Sequence, residues 1–212
     1  MQFIQGRIVA GFLVALCAGH AWGTVTKDQA QELHGGGGYV WVDQDVAQTF
    51  MPAIGGYLDH VDVYVDAWVS GSFVMQMKVT GTTPDNKPDG AAVFGQATVP
   101  GAGLGWQTLD LRSLNIVLKA NTSYALWFTS NDPSVNDPGI GLGANWSPDV
   151  YTRGAALKRP TGQDWSPWNF DAGSTTGDIQ FRTFMDPVPE PASLTLIVGA
   201  AGFGALRRRR RR

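Results

Sequence analysis

Apolar and polar positions alternate along YLDHVDVYVDAW, residues 57–68. The apolar positions on one side of this pattern are Val61, Val63, Val65 and Ala67. The positions between them are acidic or aromatic, and a period of two places successive side chains on opposite faces of a strand. The pattern therefore predicts a strand in a sheet with one buried face.

The same period recurs in SFVMQMKV, where the inward positions are Phe73, Met75, Met77 and Val79. Further strand-forming runs are AAVFGQATV, WQTLDL, SYALWF and DIQFRTF. Clusters of Pro, Asp, Asn and Gly separate the runs, as in TTPDNKPDG and NDPSVNDPGIG. Six or seven short strands without helices between them predict an all-β fold, an antiparallel β-sandwich of the jelly-roll kind.

One segment of the body has a helical rather than a strand-like pattern. In TVTKDQAQELHGGGG, residues 24–38, a helix is expected from Lys27 to His34, and four glycines end it. Consecutive glycines form flexible linkers, and no Lys-Ser or Lys-Thr of a phosphate-binding loop follows them. We therefore expect a Gly-rich lead segment with a hinge, placed before the sandwich.

The N-terminus has the layout of a secretory signal peptide. Arg7 precedes a short apolar run, and Ala21 and Gly23 occupy the small-residue positions before a cut after Gly23. We expect residues 1–23 to form a signal helix that directs the chain to the export machinery and that signal peptidase removes. Cys17, the only cysteine of the chain, leaves with this helix, so the mature protein forms no disulfide.

Acidic and basic residues are segregated along the chain. Residues 24–190 contain nine Lys and Arg residues and 18 Asp and Glu residues, a net charge of −9, whereas the basic residues Arg207, Arg208, Arg209, Arg210, Arg211 and Arg212 close the chain. Recognition of nucleic acid requires Lys and Arg clustered on the folded domain. Nucleic acid is therefore not an expected partner.

The C-terminal segment VPEPASLTLIVGAAGFGALRRRRRR combines an extended motif, an apolar stretch and a basic end. Pro189 and Pro191 disfavour helix on both sides of Glu190, so the tripeptide suits an extended cleft. As a helix, residues 194–206 would span about 20 Å, short of the hydrocarbon core of about 30 Å. A membrane stop at the six arginines and a brief stay in the bilayer are therefore expected. A buried C-terminal helix with a solvated tail is a weaker alternative, because it leaves the prolines unexplained.

This order of features resembles the PEP-CTERM sorting signal. The resemblance implies that Pro189, Glu190 and Pro191 are read by an exosortase, a membrane protease-transpeptidase of Gram-negative bacteria that make extracellular polysaccharide. It also implies transient anchoring in the inner membrane, followed by a cell-surface or extracellular location.

The body resembles a class of bacterial exported modules in the order of its strands, from VDQDVAQTF through NKPDGAAVFGQATV and GWQTLDL to DIQFRTF. That resemblance implies a jelly-roll-like sandwich and no particular ligand. We expect four parts: the signal peptide, residues 1–23; the lead segment, residues 24–38; the sandwich, residues 39–186; and the sorting signal, residues 187–212.

No catalytic or metal-binding pattern is evident in the body. His34 and His60 lack the spacing of a zinc pair, and Asp59, Asp62 and Asp66 lie on one strand without forming an evident acid–base pair. DNKPDG, residues 85–90, begins like an EF-hand loop, but Lys87 occupies a ligand position, and we interpret the segment as a hairpin turn. We expect no enzyme activity, metal or cofactor.

Three tryptophans lie in loop-rich sequence beside Asp and Asn residues, namely Trp146, Trp165 and Trp168. Flat aromatic faces with such neighbours can stack on and hydrogen-bond a saccharide. The alternative, which we favour, is that they cap the sandwich core.

Three functions therefore stay open. The first is a non-catalytic exported surface or matrix protein associated with exopolysaccharide, the second a carbohydrate-binding module that uses the loop tryptophans, and the third a secreted hydrolase.

Overall fold

The computed structural model describes residues 24–40, 44–68, 75–99, 103–130, 140–145, 151–169 and 177–187. These residues form two antiparallel β-sheets packed face to face, so the predicted all-β sandwich is confirmed. The predicted signal helix and the C-terminal apolar helix lie outside the described residues.

The strands in chain order are β1 Thr26–Gln31, β2 Gly36–Val40, β3 Gln44–Phe50, β4 Gly56–Trp68, β5 Met75–Thr82, β6 Pro88–Thr98, β7 Gly105–Asp110, β8 Val117–Leu118, β9 Tyr124–Ser130, β10 Ile140–Asn145, β11 Ala156–Pro160, β12 Ser166–Pro167, β13 Asp178–Ile179 and β14 Phe181–Pro187. A single 3-10 turn, Arg112–Leu114, is the only helical element of the described part of the chain.

The longest strand, β4, organises the first sheet. This eight-stranded sheet has the order β1-β14-β4-β10-β13, with β7 and β8 also paired to β4 and with β2 paired to β10. The second sheet has six strands in the order β12-β11-β3-β9-β5-β6. Neighbours in space are mostly distant in sequence, so the chain passes repeatedly between the sheets.

The core lies between the sheets and is built from the positions that the period-two pattern predicts. Fully buried members from both sheets include Val46, Phe50, Val61, Val63, Val65, Met75, Met77, Val79, Leu126, Phe128, Phe181 and Met185. The inward positions predicted for β4 and β5 are therefore confirmed, except that the side chains of Ala67 and Phe73 lie outside the described ones.

The helix expected from Lys27 to His34 is wrong. Residues Thr26–Gln31 form β1, which pairs with β14, and Gly36–Val40 form β2, which pairs with β10 instead of acting as a hinge. The buried positions of β1 are Gln29 and Gln31. Buried and partly exposed side chains thus alternate along β1, but the buried ones are glutamines and not apolar residues. Pairing with a distant strand overrides the local helical preference.

The turn predicted between β5 and β6 is present. The backbone N–H groups of Thr83 and Asn86 bond to the carbonyls of Lys87 and Thr83, and Asn86 adopts a left-handed φ of 59°. Asp85 and Asp89 thus belong to a β-hairpin, and the resemblance to a calcium loop is only local.

Candidate functional site

A band of polar and aromatic side chains crosses the outer face of the eight-stranded sheet. Because Val61, Val63 and Val65 point into the core, the residues that alternate with them point outward. On β4, Asp62 is paired with Arg182 of β14 on one side and with Thr108 of β7 on the other. Two residues further along β4, Tyr64 is paired with Trp106 of β7. We call the five residues Asp62, Tyr64, Trp106, Thr108 and Arg182 the outer strip.

Arg182 is the charged centre of the outer strip. Its Nε donates to Glu32 Oε1 at 2.8 Å, Nη1 lies 3.7 Å from Asp62 Oδ2, and the guanidinium lies 3.9 Å from the centre of the Trp106 ring. Asp62 accepts a hydrogen bond from the Thr108 hydroxyl at 2.7 Å. The guanidinium is thereby held over the indole by carboxylates on two sides.

Aromatic contacts continue from Trp106 toward the end of β4. The Tyr64 ring meets the Trp106 ring edge to face at 5.4 Å, and the His34 ring lies 5.8 Å from Tyr64. Gln180 Oε1 lies 2.8 Å from His34 Nδ1, and Asp66 lies 3.8 Å from the other ring nitrogen. These contacts place a lead-segment histidine beside the outer strip.

A glycine makes room for this arrangement. A Cβ at Gly143 of β10 would lie 2.2 Å from Gln180 Oε1 and 2.7 Å from Tyr64 Cδ1. Only glycine therefore allows Gln180 and Tyr64 to pack over β10 as they do.

Carboxylates outnumber cations around the outer strip. Glu32 and Asp62 face Arg182, Asp66 lies beside His34, and Lys27 bonds to Glu32 from the edge of the sheet at 2.9 Å. The hydrogen bond from Lys27, with that from Arg182, holds the pKa of the Glu32 carboxyl below its usual value. The surface offers aromatic faces and hydrogen-bonding groups with little free positive charge, which suits an uncharged polar ligand better than an anion.

Two of the tryptophans suggested as saccharide contacts are buried. Trp165 is 6% exposed and meets the Trp127 ring edge to face at 5.6 Å, while Arg159 covers both rings. Trp168 is 5% exposed and belongs to the main core. Trp165 belongs with Ala47, Trp127 and Leu157 to a second buried cluster, on the outer face of the six-stranded sheet, so only Trp168 matches the core-capping alternative. Trp146 lies outside the described residues.

The catalytic candidates do not converge on one site. Asp59 contacts His60 Nδ1 at 2.6 Å, and the His60 ring stacks on Phe184 at 4.0 Å, so this pair lies on the outer face as expected for a strand residue. Asp62 and Asp66 have the separate partners given above. Within the described ranges, no group of three or more His, Cys, Asp or Glu residues could hold a metal ion.

Sequence reasoning missed the outer strip. The outward position of Tyr64 follows from the alternation along β4, but its neighbours Trp106 and Arg182 come from strands 42 and 118 residues away. Only the strand pairing brings them together, so no local signal could have identified the group.

The last described residues lead directly into the C-terminal segment. Strand β14 ends at Pro187, which pairs with Gly56, and Pro189 follows two residues later. The predicted sorting residues Pro189, Glu190 and Pro191, the basic residues from Arg207 onward, and the signal cleavage positions Ala21 and Gly23 lie outside the described residues. In the part of the chain that the structure describes, no helix is both long and apolar enough for a membrane span.

Comparison with known proteins identifies the C-terminal segment. None of the curated proteins compared with this chain matches it. A family model described as the PEP-CTERM protein-sorting motif matches residues 187–211, the segment that carries the Pro-Glu-Pro tripeptide and the arginines. Residues 187–211 of this chain therefore carry a PEP-CTERM sorting motif, and the motif implies recognition by an exosortase, a membrane protease, and sorting as an exported protein of the cell surface.

Proposed function

We propose that the mature protein is a non-catalytic component of the cell surface or extracellular matrix that associates with exopolysaccharide through the outer strip. The observation that carries this proposal is the Trp106–Tyr64 pair, flanked by Arg182 and Asp62 on the outer face of the eight-stranded sheet. Saccharides are bound by aromatic faces that stack on the sugar ring, together with planar polar groups that bond to its hydroxyls.

The charge of the body favours an uncharged polysaccharide. Residues 24–190 carry nine Lys and Arg residues against 18 Asp and Glu residues. In the outer strip, Arg182 is already engaged by Glu32 and Asp62. A polyanionic chain would meet net repulsion over this surface, whereas neutral sugars need only hydrogen bonds and stacking.

The carboxyl groups with shifted pKa values support a non-catalytic role. The lowered carboxyl pKa values in the described residues, those of Glu32, Asp110 and Asp164, come first from hydrogen bonds to Lys27, Arg112 and Lys87. These are exposed ion pairs of the kind that stabilise surfaces, and a catalytic carboxyl usually has a raised pKa in a cleft.

The route that we propose begins with export and removal of the signal by signal peptidase. The apolar segment then holds the chain briefly in the inner membrane of a Gram-negative cell, and the exosortase releases the body toward the surface. The match of residues 187–211 to the sorting motif supports this order of steps.

Binding to neutral polysaccharides, measured on a glycan array and by titration of the purified mature protein, tests the proposal. We expect Trp106→Ala to weaken binding at least tenfold, because it removes both the stacking surface and the support under Arg182. Tyr57→Ala, an exposed aromatic at the other end of β4, should bind like the wild type. Thermal unfolding of each variant excludes loss of the fold.

Two results would count against the outer strip or the non-catalytic role. Unchanged binding in Trp106→Ala would reject the outer strip, and loss of binding in Trp146→Ala alone would favour the loop-tryptophan alternative. Release of reducing ends from any bound polysaccharide would show a hydrolase.

A further inference from the structure

The sorting motif is separated from the folded body by a very short stretch of chain, since only Val188 stands between Pro187 and Pro189. Extended chain advances about 3.3–3.6 Å per residue, so Pro189 lies within about 7 Å of Pro187. Pro187 is itself paired with Gly56 at the end of β14. A membrane protease that binds the tripeptide must therefore approach this end of the sandwich closely.

The end of β14 is fixed to its neighbour up to its last residue. A Cβ at Gly56 would lie 2.2 Å from the carbonyl oxygen of Asp186 and 2.9 Å from the Cα of Pro187. The backbones of β4 and β14 thus approach each other more closely than any other residue at position 56 would allow. The motif cannot move further from the body unless this pairing opens.

Apolar side chains are exposed around the point where the tail leaves. Register places Tyr57 opposite Asp186 and also opposite Val117 of β8. Tyr57 is 43% exposed and Val117 is 51% exposed, whereas their neighbours Leu58 and Leu118 are buried in the core.

The start of the mature body lies at the same end. Thr26 pairs with Met185, so the exposed Val25 stands beside the end of β14. We call Val25, Tyr57 and Val117 the tail-exit surface. Three of the eight exposed large hydrophobic residues of the described chain lie on it, next to the segment that must enter the protease.

We infer that the tail-exit surface docks against an apolar rim of the exosortase cleft while the motif is bound. The occupant is the protease rather than a second copy of this chain, because the covalent link brings the protease within about 7 Å of Pro187 at every turnover. Burial of an aromatic and a branched apolar side chain at such a contact stabilises the complex. The enzyme therefore recognises part of the folded body as well as the tripeptide.

The test is the rate of tail removal in the native host, followed by pulse labelling and intact mass. In the double variant Tyr57→Ser with Val117→Ser, we expect removal to slow about tenfold. The matched control is Leu33→Ser with Leu104→Ser, which changes two residues that are 58% and 65% exposed at the opposite end of the sheet, and it should mature at the wild-type rate. Equal melting temperatures of the purified variants show that folding is unaffected.

A spacer distinguishes docking from a general effect of the substitutions. Ten Gly and Ser residues inserted after Pro187 would separate the motif from the tail-exit surface by up to about 35 Å. In the spacer chain, we expect the double variant and its parent to mature equally fast. The inference is overturned if the double variant without a spacer matures at the wild-type rate. It is also overturned if the double substitution slows the spacer chain as much as the chain without a spacer, or if the wild-type chain retains its arginine tail.

Discussion

Two glycines of the sandwich differ sharply in the space around them. A Cβ at Gly154 would lie 1.8 Å from the carbonyl oxygen of Thr49, so the two backbones would have to separate. A Cβ at Gly90 would meet the Trp127 ring at 3.7 Å, an ordinary contact. We expect Gly154→Ala to lower the free energy of unfolding by about 1–3 kcal/mol, and Gly90→Ala to leave it unchanged or raise it by about 0.4–1 kcal/mol. Urea denaturation measures both, and equal effects would contradict this account.

Asp110 contributes to stability in a defined pH range. Hydrogen bonds from the Arg112 side chain, and then from its backbone N–H, lower the pKa of Asp110 to about 2, with the Nε–Oδ1 distance at 2.9 Å. The unfolded value is about 3.9, so the stabilisation is complete above that pH and is lost as the pH falls toward 2. Melting temperatures measured from pH 5 to pH 2 should fall less steeply in Asp110→Asn than in the wild type.

Arg112→Gln provides the matched test because it removes the donor and leaves the carboxyl in place. Its melting temperature should fall with pH as gently as that of Asp110→Asn over the same pH range. If the melting temperature of both variants falls with pH as steeply as that of the wild type, this pair has no role in the pH dependence of stability.

Single residues could be predicted from the sequence when their own strand carries the pattern. The inward positions of β4 and β5 follow from alternation, and the burial of Trp165 and Trp168 follows from the usual burial of tryptophan. The outer strip could not be predicted, because Trp106 and Arg182 join Tyr64 only through pairing with distant strands.

Among the elements, β1 shows where local reasoning fails. Its buried side chains are glutamines. Gln29 Oε1 accepts a hydrogen bond from the Tyr151 hydroxyl at 3.0 Å, and the Gln29 backbone N–H donates one to the Thr183 hydroxyl at 3.1 Å. A polar side chain can be buried when each of its groups is bonded. A hydrophobic pattern cannot reveal such a strand, and the glutamines and alanine are typical of helices.

Removal of β1 should therefore damage the fold rather than free a loose leader. A mature chain that lacks residues 24–31 loses the outer partner of β14, so β14 becomes an exposed edge strand. We expect a lower melting temperature and concentration-dependent self-association, measured by calorimetry and by light scattering after gel filtration. A chain that lacks only Thr24 and Val25 is the control, since both precede β1, and it should remain monomeric if the wild type is.

At the scale of the whole molecule, the first and last strands of the body are neighbours. Thr26 pairs with Met185, although the two residues are 159 positions apart. The end of β14 that leads into the tail therefore lies at the same end of the sheet as the start of β1. The sandwich class could be predicted from short alternating runs, but this closure depends on long-range pairing that no local segment encodes.

The pairing of β1 with β14 also predicts that the residues needed for folding end at Pro187 and that the sorting segment after it is not needed for folding. Met185 is fully buried and Phe184 stacks on His60, whereas the segment matched to the sorting motif begins at the last residue of β14. A chain that ends at Pro187 should melt within about 2 °C of the full mature chain. A chain that ends at Thr183 should lose about 2–5 kcal/mol, the usual cost of removing a buried methionine side chain, so its melting temperature should fall by several degrees or more. Differential scanning calorimetry compares the three chains. If the chain that ends at Pro187 fails to fold, residues after β14 belong to the body, and removal of the tail would change the protein that reaches the surface.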